Sequence, residues 1–271
     1  MTEQAPASKA ASTAPPPLLL IHGMWASPRL WRHMTPAFSA AGHEVLAPAL
    51  PGHEATPGDP APDGLGTLSL SDYVEALLAQ AAKFTRPPVV IGHSMGGLLA
   101  QLVAAKLRPP ALVLLSPAPA AGMFALYPSA LRTLSGVMLK WEYWKKPTLL
   151  GAKAARYGIF NGVPEAEAKA EIAALIHDSG RALFEIANWF VDRRRAAQVD
   201  YGEIDCPALI MVGDQDRITP TGVARQTARR LQGRVRYREI ADHGHWIVGE
   251  AMGPQVARDI LAFLGALASR K

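Results

Sequence analysis

Ser94 stands out among the residues able to do chemistry. It lies in Gly92-His93-Ser94-Met95-Gly96-Gly97, after the β-like run Pro88-Val89-Val90-Ile91 and before a helical stretch over 95–106. G-x-S-x-G between a strand and a helix is a nucleophile elbow, a sharp turn that lifts the hydroxyl out at the strand's carboxyl end. Small residues two before and two after the serine let strand and helix pass closely without Cβ clashes. The Met95 amide then falls at a helix N-terminus, aimed at an oxyanion forming beside Ser94. The bare pattern is common, and its placement between strand and helix gives it meaning.

A serine hydroxyl is a weak nucleophile at neutral pH and needs a base. His93 is adjacent, but neighbours on a sharp turn point apart, so it reads as a packing residue. His243 and His245 follow the last β-like run, at the sheet edge where Ser94 lies, and Gly244 lets the loop turn His245 inward. His245 is the preferred base, with His243 as the alternative. The remaining histidines, His22, His33, His43, His53 and His177, read as structural or surface residues. An orienting carboxylate is required next. Asp214 and Asp216 both lie after the run Ala208–Val212; Asp216, just before a helix, is preferred, and Asp214 can cap the turn. Near the start, Leu18–Ile21 leads into His22-Gly23-Met24-Trp25. Gly23 lets the Met24 amide approach the oxyanion position as a second donor.

These residues need a scaffold with its strand ends on one edge. Short apolar runs at Leu18–Ile21, Val45–Leu50, Pro88–Gly92, Ala111–Ser116, Ala208–Val212 and Val235–Ile240 read as buried strands. Helical stretches alternate with them, which predicts a mainly parallel sheet flanked by helices. Pro28 after Ser27, Ser69 or Ser71, and Pro220 after Thr219 mark three helix starts. Roughly 90 residues between Ser116 and Ala208 carry helical signals and no convincing strand, where a βα unit needs only about 30. The predicted organisation is a disordered tail over 1–16, a core over 17–117 and 204–271, and an inserted helical region over 118–203. The insertion holds Trp141, Tyr143, Trp144, Tyr157, Phe160, Trp189 and Phe190. Of these, Trp141, Trp144, Trp189 and Phe190, with Trp25 of the core, are candidates to line an apolar substrate pocket.

The composition, 49% hydrophobic and 19% charged, is that of a globular protein. The net charge of +5 collects in Arg193–Arg195 and in the arginines of 225–238. That pattern reads as a solvated helix face plus an exposed strand, without the aromatic interleaving of RNA-binding surfaces. The single cysteine, Cys206, forms no intrachain disulfide and reads as a buried thiol. No secretory leader or membrane-spanning run is evident, and a cytoplasmic location is expected. No His/Cys/Asp spacing suggests a zinc site, so no metal or organic cofactor is expected.

Together, Leu20-Ile21-His22-Gly23, Pro51-Gly52-His53, the Gly92–Gly97 elbow, Gly213–Pro220 and Gly244-His245 resemble the α/β-hydrolase superfamily, in particular its small bacterial esterases and lysophospholipase-like members. The order Ser…Asp…His is the one that fold uses. The resemblance implies an α/β-hydrolase fold with a helical cap, a Ser94–His245–Asp216 triad, and an oxyanion hole from the Met24 and Met95 amides. It departs in opening at what is usually the third strand, and in having His53-Glu54 after Gly52. It implies hydrolysis of a small apolar carboxylic ester through an acyl-enzyme. Acyltransferases, lactonases and C–C bond hydrolases share the constellation, and a ligand receptor on the same scaffold would bind without turnover.

Overall fold

The computed structural model describes residues 14–269, so most of the predicted tail, 1–13, lies outside the described residues. In chain order the strands are β1 (Leu18–Ile21), β2 (Val45–Leu46), β3 (Val89–His93), β4 (Leu112–Leu115), β5 (Pro147–Thr148), β6 (Asp178–Ser179), β7 (Ala208–Gly213) and β8 (Val235–Ile240). Six of them form one parallel sheet in the order β2-β1-β3-β4-β7-β8.

The strands read as continuous apolar runs because both sheet faces are covered. Leu18, Leu20, Val89, Ile91, Val113, Leu115, Leu209 and Met211 pack on one side. Leu19, Ile21, Val90, Leu112, Leu114, Ala208, Ile210 and Val212 pack on the other. The edge strand β8 differs. Arg236 and Arg238 are exposed on it, and Arg238 pairs with Asp259 at 2.6 Å. Charged side chains on an edge strand discourage pairing with another chain.

Local chemistry sets several element boundaries. Ser69 caps the helix Leu70–Ala81 in a capping box, its hydroxyl accepting from the Asp72 amide while Asp72 accepts from the Ser69 amide. The stretch after Ser27-Pro28, where a helix start is predicted, is a 3-10 segment Pro28–His33 followed by a short α-helix Thr35–Ala40. The second strand ends at Leu46, not at residue 50 as predicted. Pro48 and Pro51 follow it, and proline has no N–H for the ladder.

Between β4 and β7 the chain leaves the main sheet. It forms the helices Pro128–Met138, Ala152–Gly158, Glu165–Ala173 and Gly180–Ala187, and one two-residue antiparallel pair, β5 with β6. Ser179 and Glu185 fasten this segment to the core. The Ser179 hydroxyl donates to Leu68 O at 2.6 Å, and Glu185 accepts the Leu70 amide at 2.8 Å.

Candidate active site

Ser94 sits between β3 and the helix Met95–Leu107 with φ 57° and ψ −123°. A left-handed non-glycine residue costs on the order of 1–3 kcal/mol and persists only where its surroundings over-determine it. Here its amide donates to Leu115 O at 3.0 Å, and its carbonyl accepts from Gly97 and Ala118 at 2.8 and 2.9 Å. A Cβ on Gly92 would fall 2.0 Å from Gly96 O, and one on Gly96 would fall 2.2 Å from Ile21 O. Both glycines are therefore fixed by close backbone approach.

His245 is buried and lies 2.7 Å, through Nδ1, from Asp216 Oδ2. An ionised carboxylate only accepts, so Nδ1 donates to Asp216, and in a neutral imidazole Nε2 is then the acceptor. Asp216 is held in turn: its Oδ1 accepts the amides of Ile218 at 3.0 Å and Thr219 at 2.8 Å. The alternatives stand apart. Asp214 is exposed, and His243 turns its Nδ1 to Ala241 O at 2.7 Å.

Thr219 reads in the sequence only as part of a helix start, and its side chain makes no cap bond there. Its hydroxyl lies 3.0 Å from Asp216 Oδ2, 3.1 Å from His245 Nδ1 and 3.1 Å from Ser116 O. The signal was its position three residues after Asp216, where an aspartate side chain commonly caps a turn. His93 lies behind His245, its Nε2 donating to His245 O at 3.1 Å. Burial, and then the proximity of His245, hold His93 well below the ordinary histidine range, so it is neutral.

The loop after β1 is pressed against the elbow. A Cβ on Gly23 would lie 2.8 Å from the Ser94 Cβ. Among the described residues, no acceptor takes the amide protons of Met24 or Met95. Trp25 has φ 59°. Its amide donates to Asp178 Oδ2 at 2.9 Å, and its indole donates to Thr148 Oγ1 at 3.2 Å. Both anchors come from the inserted segment.

Asp178 is fully buried. It also pairs with His53 Nε2 at 2.9 Å and accepts the Tyr73 hydroxyl at 3.1 Å. Burial opposes charge on both partners, but pairing prevails: His53 is raised above its ordinary value and Asp178 is lowered. His22 lies beside them, pushed down to about 3 by burial and by His53. Its Nε2 accepts the Leu50 amide at 3.2 Å.

Ser94 opens onto an apolar cavity of about 350 Å³. Of the candidate pocket residues, Trp25, Trp189 and Phe190 line it, together with Ala130, Leu134, Met138, Leu183 and Ile186. Trp141 and Trp144 do not line it. Trp141 is 79% exposed, and Trp144 packs on Tyr143 and Phe184. The aliphatic lining residues read in the sequence as the inner faces of helices, and nothing in their spacing separates cavity wall from core. Cys206 is buried away from this site, and burial pushes its thiol up to about 11.

A parallel sheet with a strained serine at the end of a central strand, and a histidine–aspartate pair on neighbouring loops, defines an α/β fold of the hydrolase type. The sequence profile of the alpha/beta hydrolase family matches residues 18–259, and the chain belongs to that family. It is 31% identical over 231 residues to the magnesium-chelatase 30 kDa subunit of Rhodobacter capsulatus, covering 80% of this chain and 76% of that protein. It is 32% identical over 208 residues to the pimeloyl-[acyl-carrier protein] methyl ester esterase of Chromobacterium violaceum, covering 69% and 71%. Among solved structures, an extracellular alpha/beta-hydrolase from a Paenibacillus species superposes with a TM-score of 0.70 at 19% identity, covering 92% of this chain and 98% of that one. Among the described residues, no helix is long and apolar enough to cross a membrane.

Proposed function

We propose that this protein is a serine hydrolase that cleaves carboxylic esters with an apolar acyl group. The observation that carries the reading is the His245–Asp216 pair at 2.7 Å, with His245 lining a cavity shared with the strained Ser94. His245 Nε2 takes the proton of Ser94, whose Oγ attacks the ester carbonyl. The Met24 and Met95 amides, free of other acceptors, receive the oxyanion. His245 then protonates the leaving alcohol, and a water activated by the same base releases the acid. The inserted segment roofs the site and supplies much of the apolar wall. The esterase relative from Chromobacterium supports ester chemistry.

Fluorophosphonate labelling followed by turnover of a methyl ester tests the reading. Wild type should label at Ser94 and hydrolyse the ester. Ser94→Ala should remain folded, lose the label and lose about 10⁴–10⁶-fold in turnover. Retention of more than a few per cent of activity by a pure Ser94→Ala sample refutes the assignment.

A further inference from the structure

Ser94 stands on a divide between two cavities of unequal size. The large one holds about 350 Å³ and the small one about 20 Å³. Both touch Ser94, Met24, Trp25 and Ile218, so these residues form the partition. His245 lines only the small cavity, which Ile159, Leu175 and Trp246 help to close. Its walls are packed: Ile159 and Leu175 are buried, and Trp246 lies edge-on to Phe160 and His93, with ring centroids 4.8 and 5.9 Å apart.

The position of the base orients the substrate. His245 must deliver its proton to the leaving oxygen from within hydrogen-bond reach, about 2.6–3.2 Å. The leaving alcohol therefore lies on the His245 side, in the small cavity, and the acyl chain takes the large one. A single water needs about 10–15 Å³, so the small cavity has room for one water or one methyl-sized group. Resting on the serine-esterase reading, we propose that the substrates are esters of a bulky apolar acid with a small alcohol, methyl or ethyl. Ile159, Leu175 and Trp246 set the limit on the alcohol.

The steps fit this space. Ser94 Oγ bonds to the carbonyl carbon, the carbon–oxygen bond to the alcohol breaks, and the alcohol leaves with the proton His245 took from Ser94. Water enters the vacated small cavity, gives a proton to His245 and attacks the acyl carbon. The acid departs as the proton returns to Ser94.

The test is kcat/KM, by pH-stat, for methyl, ethyl, butyl and hexyl octanoate. Overpacking a filled site is costly, so the value should fall by about tenfold or more from methyl to butyl. Leu175→Ala, and the milder Ile159→Val should the first variant fail to fold, should raise the butyl-to-methyl ratio several-fold without changing acid-chain preference. A flat series or a preference for butyl in wild type overturns the proposal, as do two folded variants with the parent's ratio. Labelling of Ser94 without turnover of any methyl ester overturns the substrate class alone. Wild type that neither labels nor hydrolyses overturns the esterase reading itself.

Discussion

Ala130→Leu should shorten the acyl chain the enzyme accepts. Ala130 is buried on the helix Pro128–Met138 and faces the 350 Å³ cavity. At about 30 Å³ per water-sized group, that cavity has room for roughly a dozen groups. Each methylene buried there contributes about 0.8 kcal/mol, roughly fourfold in kcat/KM. Wild type should therefore climb by about that factor per carbon until the cavity fills. Leucine adds three carbons to the wall and displaces about three methylenes of substrate. The longest chains should then lose up to about 2.4 kcal/mol, about 60-fold, while acetate is little changed. Leucine is nearly as good a helix former as alanine, so the helix itself is not the weak point. The assay is pH-stat kinetics on methyl esters from acetate to tetradecanoate, with melting curves for both proteins. Equal slopes through tetradecanoate, or an equal loss on acetate and tetradecanoate in a folded variant, would refute placement of the acyl chain in this cavity.

Three further outcomes follow from the geometry. Asp216→Asn should cost about 10³–10⁴-fold in kcat by mis-setting the tautomer of His245, whereas Asp214→Asn, altering an exposed side chain, should stay near wild type; steady-state kinetics with the opposite ranking would move the acid to Asp214. Thr219→Val removes a hydroxyl shared by Asp216, His245 and Ser116, and should lower kcat about 10–100-fold with KM little changed; an unchanged kcat in a folded variant would make that hydroxyl a packing group only. Asp178→Asn should destabilise by about 3–5 kcal/mol near pH 6, the usual cost of breaking a buried pair. The raised His53 stabilises fully below its ordinary 6.5 and loses that contribution as pH climbs through its raised value, while the lowered Asp178 stabilises above its ordinary 3.8 and loses it as pH falls. Denaturant melts should therefore show the gap to wild type narrowing as pH climbs above 6.5 through the raised value of His53. A gap that widens on the alkaline side would contradict the ion pair.

Where one local rule governed an element, the residues disclosed it. The buried strands were legible because both of their faces are apolar, and the elbow because two glycines must flank a backbone crossing. Asp216 and His245 were legible as the polar residues of loops at one sheet edge. The contact of Asp178 with Trp25 was not, since it spans 153 residues and no local pattern encodes it. His53 looked like an ordinary loop histidine because its partner is equally remote. Trp141 and Trp144 were misplaced because aromatic character marks an apolar surface without saying whether it faces a cavity, a neighbour or water. The aliphatic wall of Leu134, Met138 and Leu183 escaped notice for the converse reason.

The inserted segment also constrains how the chain reaches its native state. β4 and β7 lie side by side, with Leu115 paired to Met211, yet the whole insertion separates them along the chain. Closing a long loop before its contacts reward it is entropically costly, and topologies rich in such pairings fold slowly. Ser94 and its elbow belong to strands made early, whereas Asp216 and His245 arrive only after the insertion. During synthesis from the N-terminus, the growing chain therefore carries its serine for well over a hundred residues before the His245–Asp216 pair exists. With the proposed triad, reactivity would appear only when the last strands dock. On that reading catalytic competence is a late event of folding, and recovery of Ser94 labelling during refolding should trail the burial of β1, β3 and β4.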